Sequence, residues 1–159
     1  MKPYCNTPWQ QELQTRPFRH FRPFRSIELF AGAGGLALGL EKAGFEAVLF
    51  NEWDKHACAT LRHNRPAWNV VEASITDVDF RQYEGQIDFL SGGFPCQAFS
   101  IAGYRQGFED EKGRGELFFE LTRILADKKP RFAFFENVKN LVGHANGNTF
   151  RVICQQLDI

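Results

Sequence analysis

Four short segments hold residue types that can do chemistry together. Phe30-Ala31-Gly32-Ala33-Gly34-Gly35 places three glycines in six positions, and glycine lets backbone amides approach a ligand closely. A helix starting directly after such a turn favours negative charge at its amino terminus, which suits a nucleotide-like cofactor. The same turn also arises for purely steric reasons. Glu52 follows at a separation where an acid accepts hydrogen bonds from both hydroxyls of a ribose, and Trp53 beside it offers a ring to stack on adenine. The competing reading of that pair is a solvent-facing Glu and a core Trp. In Gly92-Gly93-Phe94-Pro95-Cys96-Gln97 the paired glycines and Pro95 fix a rigid turn that would hold the Cys96 thiol partly exposed and open to activation, although a lone cysteine is more often a small buried hydrophobe. Glu136-Asn137-Val138 lies 40 positions beyond Cys96.

These segments converge only if particular elements place them. Apolar strands alternate with amphipathic helices, the rhythm of an α/β fold with a doubly wound, mainly parallel sheet. The pattern predicts strands over residues 26–30, 47–50, 68–71, 87–90 and 132–135. Leu36, Leu40 and Ala43 recur at helical spacing before Gly44, which stops that helix in a left-handed conformation. Further helices are predicted over residues 54–64, from Leu117 to before Pro130 on the face of Phe118, Leu121, Ile124 and Leu125, and at the end of the chain with Phe150, Ile153 and Leu157 on one side. The strand at 132–135 is apolar on both faces, as befits an interior strand. Residues 97–115 form a polar stretch longer than an ordinary connection, a candidate mobile loop. In a parallel sheet the glycine turn, Glu52, Cys96 and Glu136 all fall at the carboxyl edge, where such folds bind ligands.

The glycine turn, Pro95-Cys96-Gln97 and Glu136-Asn137-Val138, in this order and at these separations, resemble the conserved blocks of bacterial DNA cytosine-5 methyltransferases over residues 26–159. The resemblance implies a Rossmann-like methyltransferase core with S-adenosylmethionine as cofactor, lined by Phe30, Gly32, Gly35, Glu52, Trp53, Ile75, Gly93, Pro95 and Leu117. It implies that Cys96 adds to carbon 6 of a flipped-out cytosine in double-stranded DNA, with Glu136 acting at ring nitrogen 3. Asn137 completes that block, and Ser100 with the loop after it would close over the target strand. Restriction-modification is the implied setting. Two positions depart from the family pattern: Ser74 precedes Ile75 where Asp is common, and Glu28 stands where Asp is usual, one methylene longer. Family members continue with two further strands, a sequence-reading domain and a last helix. The resemblance therefore implies a sheet incomplete at its carboxyl-terminal strands and open at 132–135, inactive or poorly soluble without a complementing carboxyl-terminal half or subunit. A split enzyme and a truncated product are the two explanations.

Other classes fit less well. A non-catalytic module would bind S-adenosylmethionine without forming an adduct. An RNA cytosine methyltransferase usually has a different residue before Pro95, and nothing beyond the glycine turn supports a nicotinamide dehydrogenase.

The 159 residues suffice for one core, and at 43% hydrophobic content the chain should fold. Net charge is zero, so the molecule as a whole exerts no strong pull on nucleic acid. Yet residues 1–25 hold Lys2, Arg16, Arg19, Arg22 and Arg25 against Glu12 alone. This basic amino-terminal extension reads as a solvated tail, or as an arm whose Arg, Pro and Phe residues follow a phosphate backbone. Cys5, Cys58, Cys96 and Cys154 form no Cys-x-x-Cys pair, which argues against structural zinc and for a reducing compartment. No apolar run is long enough for a membrane span or signal peptide, so a cytoplasmic protein is expected.

Overall fold

A computed structural model describes residues 22–94 and 117–157. Its centre is a five-stranded sheet in the order β3-β2-β1-β4-β5. The strands are β1 (Arg25–Leu29), β2 (Glu46–Glu52), β3 (Val70–Glu72), β4 (Phe89–Gly92) and β5 (Phe132–Phe135), and every pairing is parallel. Helix α1 (Gly35–Lys42) joins β1 to β2, α2 (Lys55–Asn64) joins β2 to β3, and α3 (Leu117–Lys128) precedes β5. A short α4 (Asn140–Gly143) and α5 (Asn148–Leu157) follow. The chain runs outward from β1 to β3, then returns to lay β4 against the free side of β1. The order therefore reverses between β1 and β4, and such a switch point opens a crevice beyond the carboxyl ends of the strands.

Alternation along each strand builds two apolar layers. Ile27 and Leu29 of β1 join Leu49, Leu90, Phe118, Leu121, Ile124 and Ile153 in the larger core, under α3 and α5. On the opposite face Phe50, Ala37 and Leu61 form the smaller core, under α1 and α2. Burying Phe118, Leu121 and Ile124, each fully enclosed, contributes on the order of 2 kcal/mol per side chain.

Local signals set the helix ends. The Asp54 side chain accepts the backbone N–H groups of His56 and Ala57 and so caps α2. Gly44, at φ 86°, ends α1 in the left-handed conformation that its lack of a Cβ permits. Asp88, 1% exposed, accepts Arg22 Nη1 at 2.7 Å, Arg22 Nη2 at 2.9 Å and the Arg25 backbone N–H at 2.9 Å. Those bonds hold its carboxyl below the usual carboxylate range. Two cations at the end of the basic stretch are thereby tied to the fold: Arg22 to Asp88, and Arg25 to the carbonyl of Glu84.

The structure departs from the sequence expectation in four places. Strand β4 lies two residues later than 87–90 and β3 two later than residue 68. Trp68 stands outside β3 and stacks on Phe50 at 4.4 Å. Leu36 is 37% exposed and Ala37 takes the buried position of α1 instead. In α5 only Ile153 of the expected apolar face is buried, together with Thr149, while Phe150 and Leu157 face outward. Strand β5, apolar enough for an interior position, is an edge of the sheet among the described residues, as the resemblance implied, with Phe132 and Phe134 59% and 47% exposed.

Candidate active site

The turn after β1 takes its shape from backbone conformations that side chains resist. Phe30, Gly32 and Gly34 have φ of 54°, 54° and 90°, a region that costs non-glycine residues energy. A Cβ on Gly34 would also lie 2.7 Å from Leu61 Cδ2, so the end of that side chain would have to shift to admit one. The Ala31 N–H donates to the Asn51 carbonyl at 3.1 Å and binds the turn to β2.

Glu52 ends β2 and is 8% exposed. Its Oε2 accepts the Gly32 N–H at 2.8 Å, and its Oε1 accepts the N–H groups of Trp53 and Asp54, both at 2.9 Å. One carboxylate thus joins the glycine turn to the entrance of α2. Each oxygen has two acceptor sites, so these contacts fill Oε1 and leave one site on Oε2 for a ligand hydroxyl. The Trp53 ring, 78% exposed, stands at the rim. Asn51, 2% exposed, donates from Nδ2 to the Ala73 carbonyl at 3.0 Å and thereby fixes the exit of β3, where Ser74 caps the short turn over Ile75–Asp77. Ile75 is 3% exposed and belongs to the larger core.

Beyond β4, a Cβ on Gly93 would meet Glu136 Oε2 at 3.5 Å. The acid therefore lies directly over the turn that leads into Pro95. Glu136 is bound to the same turn through its N–H, which donates to the Gly92 carbonyl at 3.2 Å. Asn137 Nδ2 donates to the Phe94 carbonyl at 2.9 Å, and its Oδ1 accepts the Val138 N–H at 2.9 Å. Asn137 thus clamps the two segments together across 43 positions. Phe94, 4% exposed, anchors the turn from below, its ring 5.4 Å from that of Phe118. Leu117, half-buried at the start of α3, packs on the edge of the same core.

Of the residues expected from sequence, Phe30, Gly32, Gly35, Glu52, Trp53, Ile75, Gly93, Leu117, Glu136 and Asn137 are described. Direct contacts join Gly32 to Glu52 and bring Gly93 beside Glu136. Pro95, Cys96 and Ser100 lie outside the described residues, as do the stretch 97–115 and most of the basic extension. Sequence reasoning missed Asn51 and the clamping contact of Asn137. The signal for Asn51 was a carboxamide directly after the apolar run 47–50 and beside a proposed ligand acid. Among the described residues no three His, Cys, Asp or Glu side chains converge as metal ligands, and no helix is long and apolar enough to cross a membrane. Cys58 is buried and donates to the Glu52 carbonyl at 3.4 Å; burial pushes its thiol pKa up, which keeps it from acting as a nucleophile.

The chain is similar to known proteins. The chain matches the model of C-5 cytosine-specific DNA methylases over residues 24–159. It is 52% identical over 153 residues to the Type II methyltransferase M.PspPI of Psychrobacter sp. (strain TA137), covering 96% of this chain and 36% of that protein. To the Type II methyltransferase M.Eco47II of Escherichia coli it is 57% identical over 127 residues, covering 80% and 30%. A crystal structure of a DNA modification methyltransferase encoded within an E. coli prophage superposes with a TM-score of 0.69 at 28% identity, over 85% of this chain and 38% of that one. The chain spans about a third of the length of these relatives.

Proposed function

Because the chain belongs to the C-5 cytosine-specific DNA methylase family, we propose that it supplies the cofactor-binding and nucleophile-bearing portion of a DNA (cytosine-5-)methyltransferase of a restriction-modification system. Residues 26–159 are then part of the catalytic domain, residues 1–25 an extension, and the cytoplasm the place of action. The observation that carries this reading is the meeting of Glu136 and Asn137 with the Gly93-Phe94 turn, at the edge of the sheet that also bears the glycine turn and Glu52.

The described residues suit S-adenosylmethionine. The free acceptor site on Glu52 Oε2 takes a ribose hydroxyl, the exposed Trp53 ring takes one face of the adenine, and Phe30, Gly32, Gly35, Gly93 and Leu117 line the remainder. Ile75 contributes from within the core rather than by an exposed face. When bound, this cofactor provides an electrophilic methyl group on sulfur.

The chain's own residues must make carbon 5 of cytosine nucleophilic. The Cys96 thiolate forms a bond to carbon 6, and the electron pair of the 5,6 double bond is drawn toward nitrogen 3, where Glu136 supplies a proton or a hydrogen bond. After methylation a base removes the carbon 5 proton, the double bond re-forms and the sulfur–carbon bond breaks. Asn137 keeps the Phe94 end of the turn fixed, Ser100 and its loop cover the target strand, and the base leaves the duplex at a cost of a few kcal/mol.

A complementing polypeptide segment belongs to the proposal. Among the described residues strand β5 forms an edge of the sheet with two exposed phenylalanines, an arrangement that invites further strands, and the relatives are about three times as long. The test is co-expression of this chain with the remaining carboxyl-terminal portion of a close relative, followed by transfer of labelled methyl groups to duplex DNA. Labelled 5-methylcytosine in DNA is the expected product. Binding of S-adenosylmethionine with label appearing only in RNA, or no transfer with several complements that do associate, would overturn the assignment.

A further inference from the structure

One row of side chains crosses the α1 face of the sheet through aligned register positions: Val70, Phe50, Glu28, Ser91 and Phe134. Residues in register on neighbouring parallel strands project to the same face. At the middle of this otherwise apolar row lie an acid and a hydroxyl. Glu28 is 3% exposed and Ser91 fully buried, and among the described residues neither Glu28 Oε2 nor Ser91 Oγ has a hydrogen-bond partner. Such atoms are rare in native interiors and each calls for an explanation.

The Glu28 carboxyl faces the backbone N–H of Ala37 in the first turn of α1, an amide whose pull lowers its pKa against the upward push of burial. That turn exposes unsatisfied amides, and its N-cap, Gly34, has no side chain to satisfy them. The φ of 90° strains any other residue there, so the negative charge that such a turn favours comes from the strand beneath the helix. The helix begins directly after the glycine turn, and whatever holds its first turn also holds the turn.

We propose that Glu28 is a proton-linked positioning residue for the cofactor turn: as a carboxylate it pins the start of α1, and on taking up a proton from solvent it turns its new O–H to Ser91 Oγ and loosens that end. This rests on the proposed S-adenosylmethionine site. The acid is poised for such a change, its pKa raised to about 7 by burial, which outweighs the opposing pull of the Ala37 amide.

No charged side chain contributes to that shift. Glu28 is flanked by Phe50 and Ser91, and beyond them by Val70 and Phe134. Glu52, farther along the same face, spends its oxygens on amides. On α1, Glu41 is paired with Arg65 and Lys42 lies in the last turn. Lys55, His56, Arg62 and His63 of α2 are exposed. S-adenosylmethionine carries two positive charges and one negative, so a buried anion near the turn favours it electrostatically. By linkage its binding must then expel the Glu28 proton.

The experiment uses the full chain with its glutamate carboxyls carbon-13 labelled. NMR titration is expected to show one carboxyl with a midpoint near 7, absent in E28Q. In S91A the midpoint falls, because the protonated acid loses its acceptor. The ratio of S-adenosylmethionine affinity in the wild type to that in E28Q, by calorimetry, rises about tenfold between about pH 6 and pH 8, the titration of the ligand's own amino group being common to both. If E28Q fails to fold, the wild-type titration and S91A still decide. A glutamate midpoint in the ordinary range, a rise in S91A, or a pH-independent ratio would each overturn the proposal. No binding at any pH with the midpoint near 7 intact would instead remove the cofactor reading and leave the titration standing.

Discussion

A Cys96→Ala protein, completed by a carboxyl-terminal portion that restores methylation to the wild type, should form no covalent adduct with DNA carrying 5-fluorocytosine. Fluorine at carbon 5 cannot leave as a cation, so an enzyme that adds sulfur to carbon 6 is trapped there. Without the thiol no such bond exists to trap. Methyl transfer should fall at least about a thousandfold, since removing a nucleophile leaves only the contribution of binding and positioning. Cofactor affinity should change little, and this separates loss of the nucleophile from loss of the fold. Adduct formation by the alanine protein would end the assignment of Cys96, whatever its rate of turnover.

The second large effect is expected at Glu52. Its two oxygens accept three backbone N–H groups from two segments. In Glu52→Gln one oxygen becomes an NH2 group, and whichever way the amide turns, at least one backbone N–H then faces another donor. Hydrogen bonds to a charged group contribute about 1.5–3 kcal/mol each. A loss of about 2 kcal/mol corresponds to roughly 30-fold weaker S-adenosylmethionine binding and, where the turn is needed for the fold, to a melting temperature lower by about 4–8 °C. Calorimetric binding and thermal unfolding of the same preparation check both. Unchanged values would mean that the carboxylate does not organise the turn.

The sequence disclosed those parts of the molecule that depend on nearby residues. Strand β5 lies at 132–135 as expected, because four apolar residues stand between Arg131 and Glu136 and nothing else competes for them. Gly44 was readable as a helix stop because its conformation is a local demand. Strand β4 was placed two residues early because Ile87 counts toward an apolar run, whereas Ser91 and Gly92 do not, although both are buried in the strand. Hydropathy cannot recognise a hydroxyl that the sheet encloses. Trp68 drew β3 forward for the opposite reason: its ring contributes to the apolar pattern but packs on Phe50 from outside the strand.

The same division runs through the site. The glycine turn and its acid were legible because their spacing follows from one strand, one helix and the next strand. The contact of Asn137 with the Phe94 carbonyl was not, because it joins residues 43 positions apart and exists only after β5 has docked on β4. Glu28 was noticed as an acid one methylene longer than usual. Its place beneath the first turn of α1 is visible only once strand and helix are packed together.

The reversal of strand order between β1 and β4 also bears on how the chain acquires its shape. Strands β1, β2 and β3 become neighbours through successive short excursions, but β4 meets β1 across 63 positions, Ser26 beside Phe89. Closing so long an excursion costs entropy before any contact repays it. The half of the sheet that carries the glycine turn and Glu52 is thus expected to mature first and the half that carries Gly93 and Glu136 last, an order that pulsed amide labelling during refolding would reveal as protection of β2 before β4. A nascent polypeptide would in that case shape one wall of its crevice well before the other arrives.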